Sequence, residues 1–190
     1  MLNRNIVDGR FIWSDSFETD IGQSHEVFEE FIFGRNLKAI MTGKEDLRDH
    51  VGAWAQEVGY SDGPDALLAY WFAKDALIDP NSLRLMDKLS AKGVRQVITT
   101  NNEARRAAYI EKEMGFGRRV EHMFASGRMG VAKPDQKYFE IVSDTLDVCP
   151  NEIILIDDSV KNVEVATGLG WQGLHFTNET QSDLEAVLRL

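Results

Sequence analysis

A chain of 190 residues, 43% hydrophobic and 27% charged, can bury one full domain plus a small inserted one, which excludes a disordered tail and a pair of large domains. Acidic residues outnumber basic ones, 31 against 21, and the formal net charge of -10 repels a polyphosphate backbone, so nucleic acid is not an expected partner. Cys149 is the single cysteine, which excludes an internal disulfide and reads as a small apolar filler. No run reaches the ~18 apolar residues of a membrane span, and Met1-Leu2-Asn3-Arg4-Asn5 lacks a secretory apolar run, so the expected location is cytoplasmic, away from membranes.

Residues 14–78 show helical periodicity and no strand pattern. Ser14 to Gly22 reads as a first helix, and Ser24 is a good N-cap for Val27-Phe28-Phe31-Ile32. Leu47, Val51, Trp54, Ala55 and Val58 recur at three- and four-residue steps, and Leu67, Leu68, Tyr70, Trp71 and Phe72 form a third apolar helix. Trp54, Trp71 and Phe72 are expected in its interior. Asp79-Pro80-Asn81 then leads into a helix from Ser82 to Lys92.

Beyond it, strands and helices alternate. Gly93 to Thr100 reads as a strand, Asn102 to Met114 as a helix closed near Gly115, and His122 to Ser126 as a weaker strand. Pro134 to Leu146 reads as a helix with proline in its first turn. Glu152 to Ile156 is a strand whose four successive apolar residues predict burial on both faces, and it ends at Asp157-Asp158. A helix from Asn162 to Leu169, a strand from Trp171 to Phe176 and a helix from Ser182 to Arg189 complete the chain. This alternation predicts an α/β fold: a doubly wound parallel sheet built from 1–13 and 79–190, with a small helical cap at 14–78 inserted after the first core element.

Ligands of such sheets bind past the carboxyl ends of the strands. Thr100-Asn101, Lys133 and Asp157-Asp158 all fall at such places, separated by intervals that each hold about one helix and one strand. Adjacent carboxylates at the mouth of an apolar strand repel each other unless a cation compensates, and oxygen-only donors suit magnesium. The alternative is that Asp158 caps the helix containing Asn162. A lysine and a threonine hydroxyl beside the acids provide counter-charge and a donor for phosphoryl oxygens.

These residues resemble the later motifs of the haloacid dehalogenase-like hydrolase superfamily, over about Ser82 to Phe176. Val97-Ile98-Thr99-Thr100-Asn101-Asn102-Glu103 is similar to its second motif, Gly130-Val131-Ala132-Lys133-Pro134-Asp135 to its lysine motif, and Leu155-Ile156-Asp157-Asp158 with Asn162 to its acidic motif. The resemblance implies that Thr100 binds the transferring phosphoryl group, Lys133 offsets its charge, and Asp158, helped by Asp157, holds magnesium. It further implies a cap that closes over a small phosphorylated substrate, hydrolysed through an aspartyl-phosphate.

The family's first strand ends in two aspartates two residues apart, and this chain departs from that pattern. Matching Asp8-Gly9 to the second aspartate and its glycine makes Asp8 the acid/base group and puts Ile6, which has no lone pair, at the attacking position. A second register takes Phe11 to Ser14 as the strand and Asp15 as the nucleophile. The two expectations are an active phosphohydrolase and a binding or regulatory protein on the same scaffold without the attacking carboxylate. His25, His50, His122 and His175 show no metal-ligand spacing, and Arg105-Arg106 and Arg118-Arg119 read as solvated faces.

Overall fold

The computed structural model describes residues 2, 3, 6, 7, 10–34, 36–177, 180 and 184–188, with the side chains of 6, 7 and 10 outside that set. Ile6–Val7 (β1) and Arg10–Phe11 (β2) pair antiparallel, and Asn3 bridges Ile78. Asp8 and Gly9 lie outside the described residues. After β2 the chain turns into a 3-10 helix, Ile12–Ser16, followed by Phe17–Ile21 (α1), which Gly22 ends in the left-handed region. The strand that the second register places over Phe11 to Ser14 does not continue past Phe11: Trp13 and Phe17 turn inward and pack edge to face, an arrangement that a helical turn permits.

The helical block continues with His25–Phe33 (α2), capped by Ser24, then Leu37–Met41 (α3), Leu47–Val58 (α4) and Gly63–Lys74 (α5). Gly59 closes α4 in the left-handed region, which suits a residue without a Cβ. These helices share a core of their own, in which Phe28, Ile32, Val51, Trp54 and Leu67 are completely buried. Trp54, Trp71 and Phe72 lie inside it as expected.

Asp79 caps Pro80–Ala91 (α6) by accepting from the backbone N–H groups of Asn81 and Ser82. Val97–Thr100 (β3) pairs parallel with His122–Ala125 (β4) in the register Thr100 to Ala125, and Ala104–Lys112 (α7) makes the crossover. Ser126–Met129 (α8) and Gln136–Leu146 (α9) lead to Ile154–Asp157 (β5), which pairs parallel with Gln172–His175 (β6) through Val160–Gly168 (α10). The described part of the last helix is Leu184–Val187 (α11). The fold is α/β, with parallel strands joined by helices and a separate helical block. One core lies under β4, α9, β5 and α10, and a smaller one lies among Met86, Ile98 and Phe116.

Several local expectations change. Helix α9 starts after Pro134, because Asp135 is the N-cap and accepts from the Lys137 N–H at 3.0 Å. Ile154 is 39% exposed, so β5 is buried along Leu155 and Asp157 and open at its first residue. Cys149 is exposed, since it stands before the 3-10 turn Pro150–Glu152, with its N–H bonded to the Glu152 carboxylate.

The helical block docks on the turn that follows β4 and on α7. Ser126 Oγ donates to the Met41 carbonyl at 2.6 Å, and Gly43, at φ 67°, lies so close to the Gly127 carbonyl that a Cβ would collide with it. Arg106 corrects the solvated-face expectation: its side chain is 7% exposed and pairs with Asp75 at 2.8 Å. It also donates to the Phe72 and Asp75 carbonyls at the end of α5, where a helix favours a cation. Arg105, by contrast, is an exposed partner of Asp46.

Candidate active site

Strand β3 delivers Thr99 and Thr100 to its carboxyl end, and the loop after it carries Asn101 and Asn102. The Asn101 amide clips the lysine loop: Nδ2 donates to the Lys133 carbonyl at 2.8 Å, and Oδ1 accepts from the Lys133 N–H at 2.9 Å. The Lys133 ammonium then donates to the Thr99 carbonyl at 2.9 Å and to Asp157 Oδ2 at 2.5 Å. Lys133 thus joins the carboxyl ends of β3 and β5. Thr99, Asn101, Lys133 and Asp157, up to 58 residues apart in the chain (157 − 99), form one hydrogen-bonded group, and Thr100 is bonded instead to Tyr138 and Asn102.

The two acids differ. Asp157 is 3% exposed, and its other oxygen accepts from the Ser159 N–H and from Asn162 Nδ2, both at 2.9 Å. Burial alone would raise its pKa, but the Lys133 charge and hydrogen bond, with help from Ser159 and Asn162, hold the carboxyl below the usual carboxylate range. Asp157 is therefore an ionised anchor for the lysine. Asp158 is exposed, and it does not cap α10, because Ser159 does so through its hydroxyl. His175, expected only as a structural or surface residue, lies at the end of β6 with Nε2 3.1 Å from the Asp158 carbonyl. Asp15 is exposed on the 3-10 helix of the helical block rather than at a strand end.

Sequence reasoning gave no role to Tyr138. Its ring is fully buried, and its hydroxyl accepts from the Thr100 N–H at 3.0 Å and donates to the Phe124 carbonyl at 2.5 Å. The phenol is thereby bonded to both β3 and β4 at the end of their ladder, and burial pushes its pKa far up, keeping it a donor. The helical spacing of α9 marks Tyr138 as a core position; only the hydroxyl hints at the second task.

Parallel strands joined by helices, with polar groups gathered past their carboxyl ends, define an α/β protein of the kind that binds ligands there. A family model for haloacid dehalogenase-like hydrolases matches residues 7–170, and the chain belongs to that family. It is 30% identical over 112 residues to the sesquiterpene phosphatase astK of Aspergillus oryzae, covering 56% of this chain and 55% of that protein. It is also 30% identical over 86 residues to bifunctional epoxide hydrolase 2 of Sus scrofa, covering 43% of this chain and 16% of that protein. The chain thus spans about half the length of the first relative and much less of the second. A HAD family enzyme of Bacteroides thetaiotaomicron, crystallised with magnesium and inorganic phosphate, shares the fold with a TM-score of 0.73 and 20% identity, covering 93% of this chain and 89% of that one. Among the described residues no helix is long and apolar enough to cross a membrane.

Proposed function

We propose that this protein is a magnesium-dependent phosphatase that hydrolyses a small phosphorylated molecule. The observation behind the proposal is the Lys133 ammonium, held between the Thr99 carbonyl and Asp157 at the strand ends. A fixed cation there compensates, at short range, the repulsion that a -10 protein exerts on an anion. Thr100 would bind a phosphoryl oxygen through its hydroxyl, and Asn101 would keep the lysine loop against β3. Asp158, with an oxygen donor clear of the Lys133 pair, would hold magnesium, a hard cation suited to carboxylate and water; Asp157 contributes by anchoring Lys133. When bound, the metal would neutralise charge on the phosphoryl oxygens. The phosphatase relative and the neighbour holding magnesium and phosphate support the same reading.

In this proposal the core comprises 1–13 and 79–190, the helical block 14–78 is the cap that selects substrate, and the protein works in the cytoplasm. Hydrolysis through an aspartyl-phosphate needs an attacking carboxylate; Asp8 would serve as the acid/base group, and Asp15 is the carboxylate that the second register offers for the attack. Ile6 favours a second reading: in the Asp8-Gly9 register it occupies the attacking position, and the chain would bind phosphate without turning it over. Assays of small phosphate esters with magnesium separate the two. The first reading expects wild-type turnover and a loss of about a thousandfold or more in Asp15→Asn. Turnover that appears only in Ile6→Asp would establish the second reading, and undiminished turnover in Asp15→Asn would contradict Asp15 as the nucleophile.

A further inference from the structure

Resting on the reading of Thr100 as the phosphoryl-binding hydroxyl, we propose that Asn102 is a positioning residue that sets the direction in which Thr100 donates. Asn102 Nδ2 donates to Thr100 Oγ1 at 2.6 Å. A threonine hydroxyl has one proton and two acceptor lone pairs. An N–H arriving on one lone pair turns the proton away from Asn102, so the hydroxyl faces its ligand as a donor. Phosphate oxygens, which accept, need that polarity.

Asn102 is itself held in place. Its carbonyl accepts from the Gly127 N–H at 3.0 Å, which ties it to the turn where the helical block docks. The backbone under Thr100 is fixed by Tyr138. The side-chain amide is thus carried on a braced loop, and its bond to Thr100 is set by the fold before any ligand arrives. An aspartate at 102 would keep the shape and reverse the polarity, because its carboxylate would draw the hydroxyl proton inward and add negative charge beside the anion.

The test is calorimetric titration of inorganic phosphate into the magnesium-loaded protein, with melting by circular dichroism to confirm folding. The variants are Lys133→Ala, Thr100→Val, Asn102→Ala, Asn102→Asp and the double variant Thr100→Val with Asn102→Ala. Asn102→Ala is expected to weaken phosphate about tenfold, the worth of one hydrogen bond to a charged group, and Asn102→Asp to weaken it further. In the Thr100→Val background, Asn102→Ala is expected to change affinity less than about twofold, because its effect passes through the hydroxyl. Equal losses in both backgrounds would show a structural role and overturn the inference. So would full affinity in Asn102→Ala while Lys133→Ala weakens binding, an outcome that leaves the phosphate site standing. Failure of the unsubstituted protein to bind phosphate, or indifference to Lys133→Ala, would remove the phosphate site and the inference together. Should Asn102→Ala fail to fold, the neutral and nearly isosteric Asn102→Leu in both Thr100 backgrounds supplies the same comparison.

Discussion

Replacing Lys133 with methionine is expected to cost about 3–5 kcal/mol of stability at neutral pH, measured by urea denaturation with a chelator present. The side chains of Lys133 and Asp157 are 7% and 5% exposed, so solvent can do little to replace the lost cation. Ser159 and Asn162 still donate to Asp157, but hydrogen bonds from neutral groups do not supply its counter-charge. The sign of the pH dependence follows from the same pair. In the wild type the Asp157 pKa is lowered, so its contribution is complete above the unfolded carboxylate value of about 4 and is lost as pH falls through the lower folded value. In the variant, burial acts without the lysine and moves that pKa up. The stability gap between the two proteins should therefore be widest near neutrality and narrow as acid protonates Asp157. A gap that is small, or that does not change with pH, would mean that the pair is not the electrostatic centre of the site.

Arg106→Met is expected to cost a similar amount, about 3–5 kcal/mol in the same measurement, whereas Arg105→Ala should cost under about 1 kcal/mol. The neighbouring arginines on α7 differ in what surrounds them. Arg106 is buried among Phe72, Tyr109 and the end of α5, stacked 5.3 Å from each ring centre and donating to the Phe72 and Asp75 carbonyls. Removing it strips a cation from beside the partly buried Asp75 carboxylate and takes donors from carbonyls at a helix end. The Arg105 pair with Asp46 has side chains 44% exposed on both partners, where water and salt compete with it. Because Arg106 joins the helical block to α7, its loss should also loosen that block first, seen as faster amide exchange in α5 than in α9.

The parts of the molecule legible in the sequence are those fixed by local pattern. The apolar run before Asp157 marks β5, and Ser24 and Asp79 mark helix starts, because a strand mouth and an N-cap each depend on a few adjacent residues. The meeting of Asn101, Lys133 and Asp157 followed from counting one helix and one strand between them, whereas the bonds of Thr100 go to Tyr138 and Asn102. What was not legible depends on contacts between distant segments. Arg106 looks like any charged residue on an amphipathic helix until α5 covers it. Tyr138 fits a core stripe equally well with or without a hydroxyl that reaches Thr100 and Phe124. Cys149 has the composition of a core residue but a place before a tight turn. Asp157 and Asp158, identical in kind, part into an anchor and an exposed carboxylate only because Lys133, Ser159 and Asn162 all converge on the first.

The proposed function requires the strand ends to form one site for a divalent cation and a phosphoryl anion. Crystals grown with manganese in place of magnesium and with inorganic phosphate, examined by anomalous diffraction, locate both. A manganese peak is expected at coordination distance, about 2 Å, from the Asp158 carboxylate, with phosphate between Thr100 and Lys133. Glu18, His25 and Glu26 on the helical block have ligand atoms within 4.8 Å of one another. Manganese found there, with no metal or phosphate at the ends of β3 and β5, would show that the strand ends are not that site.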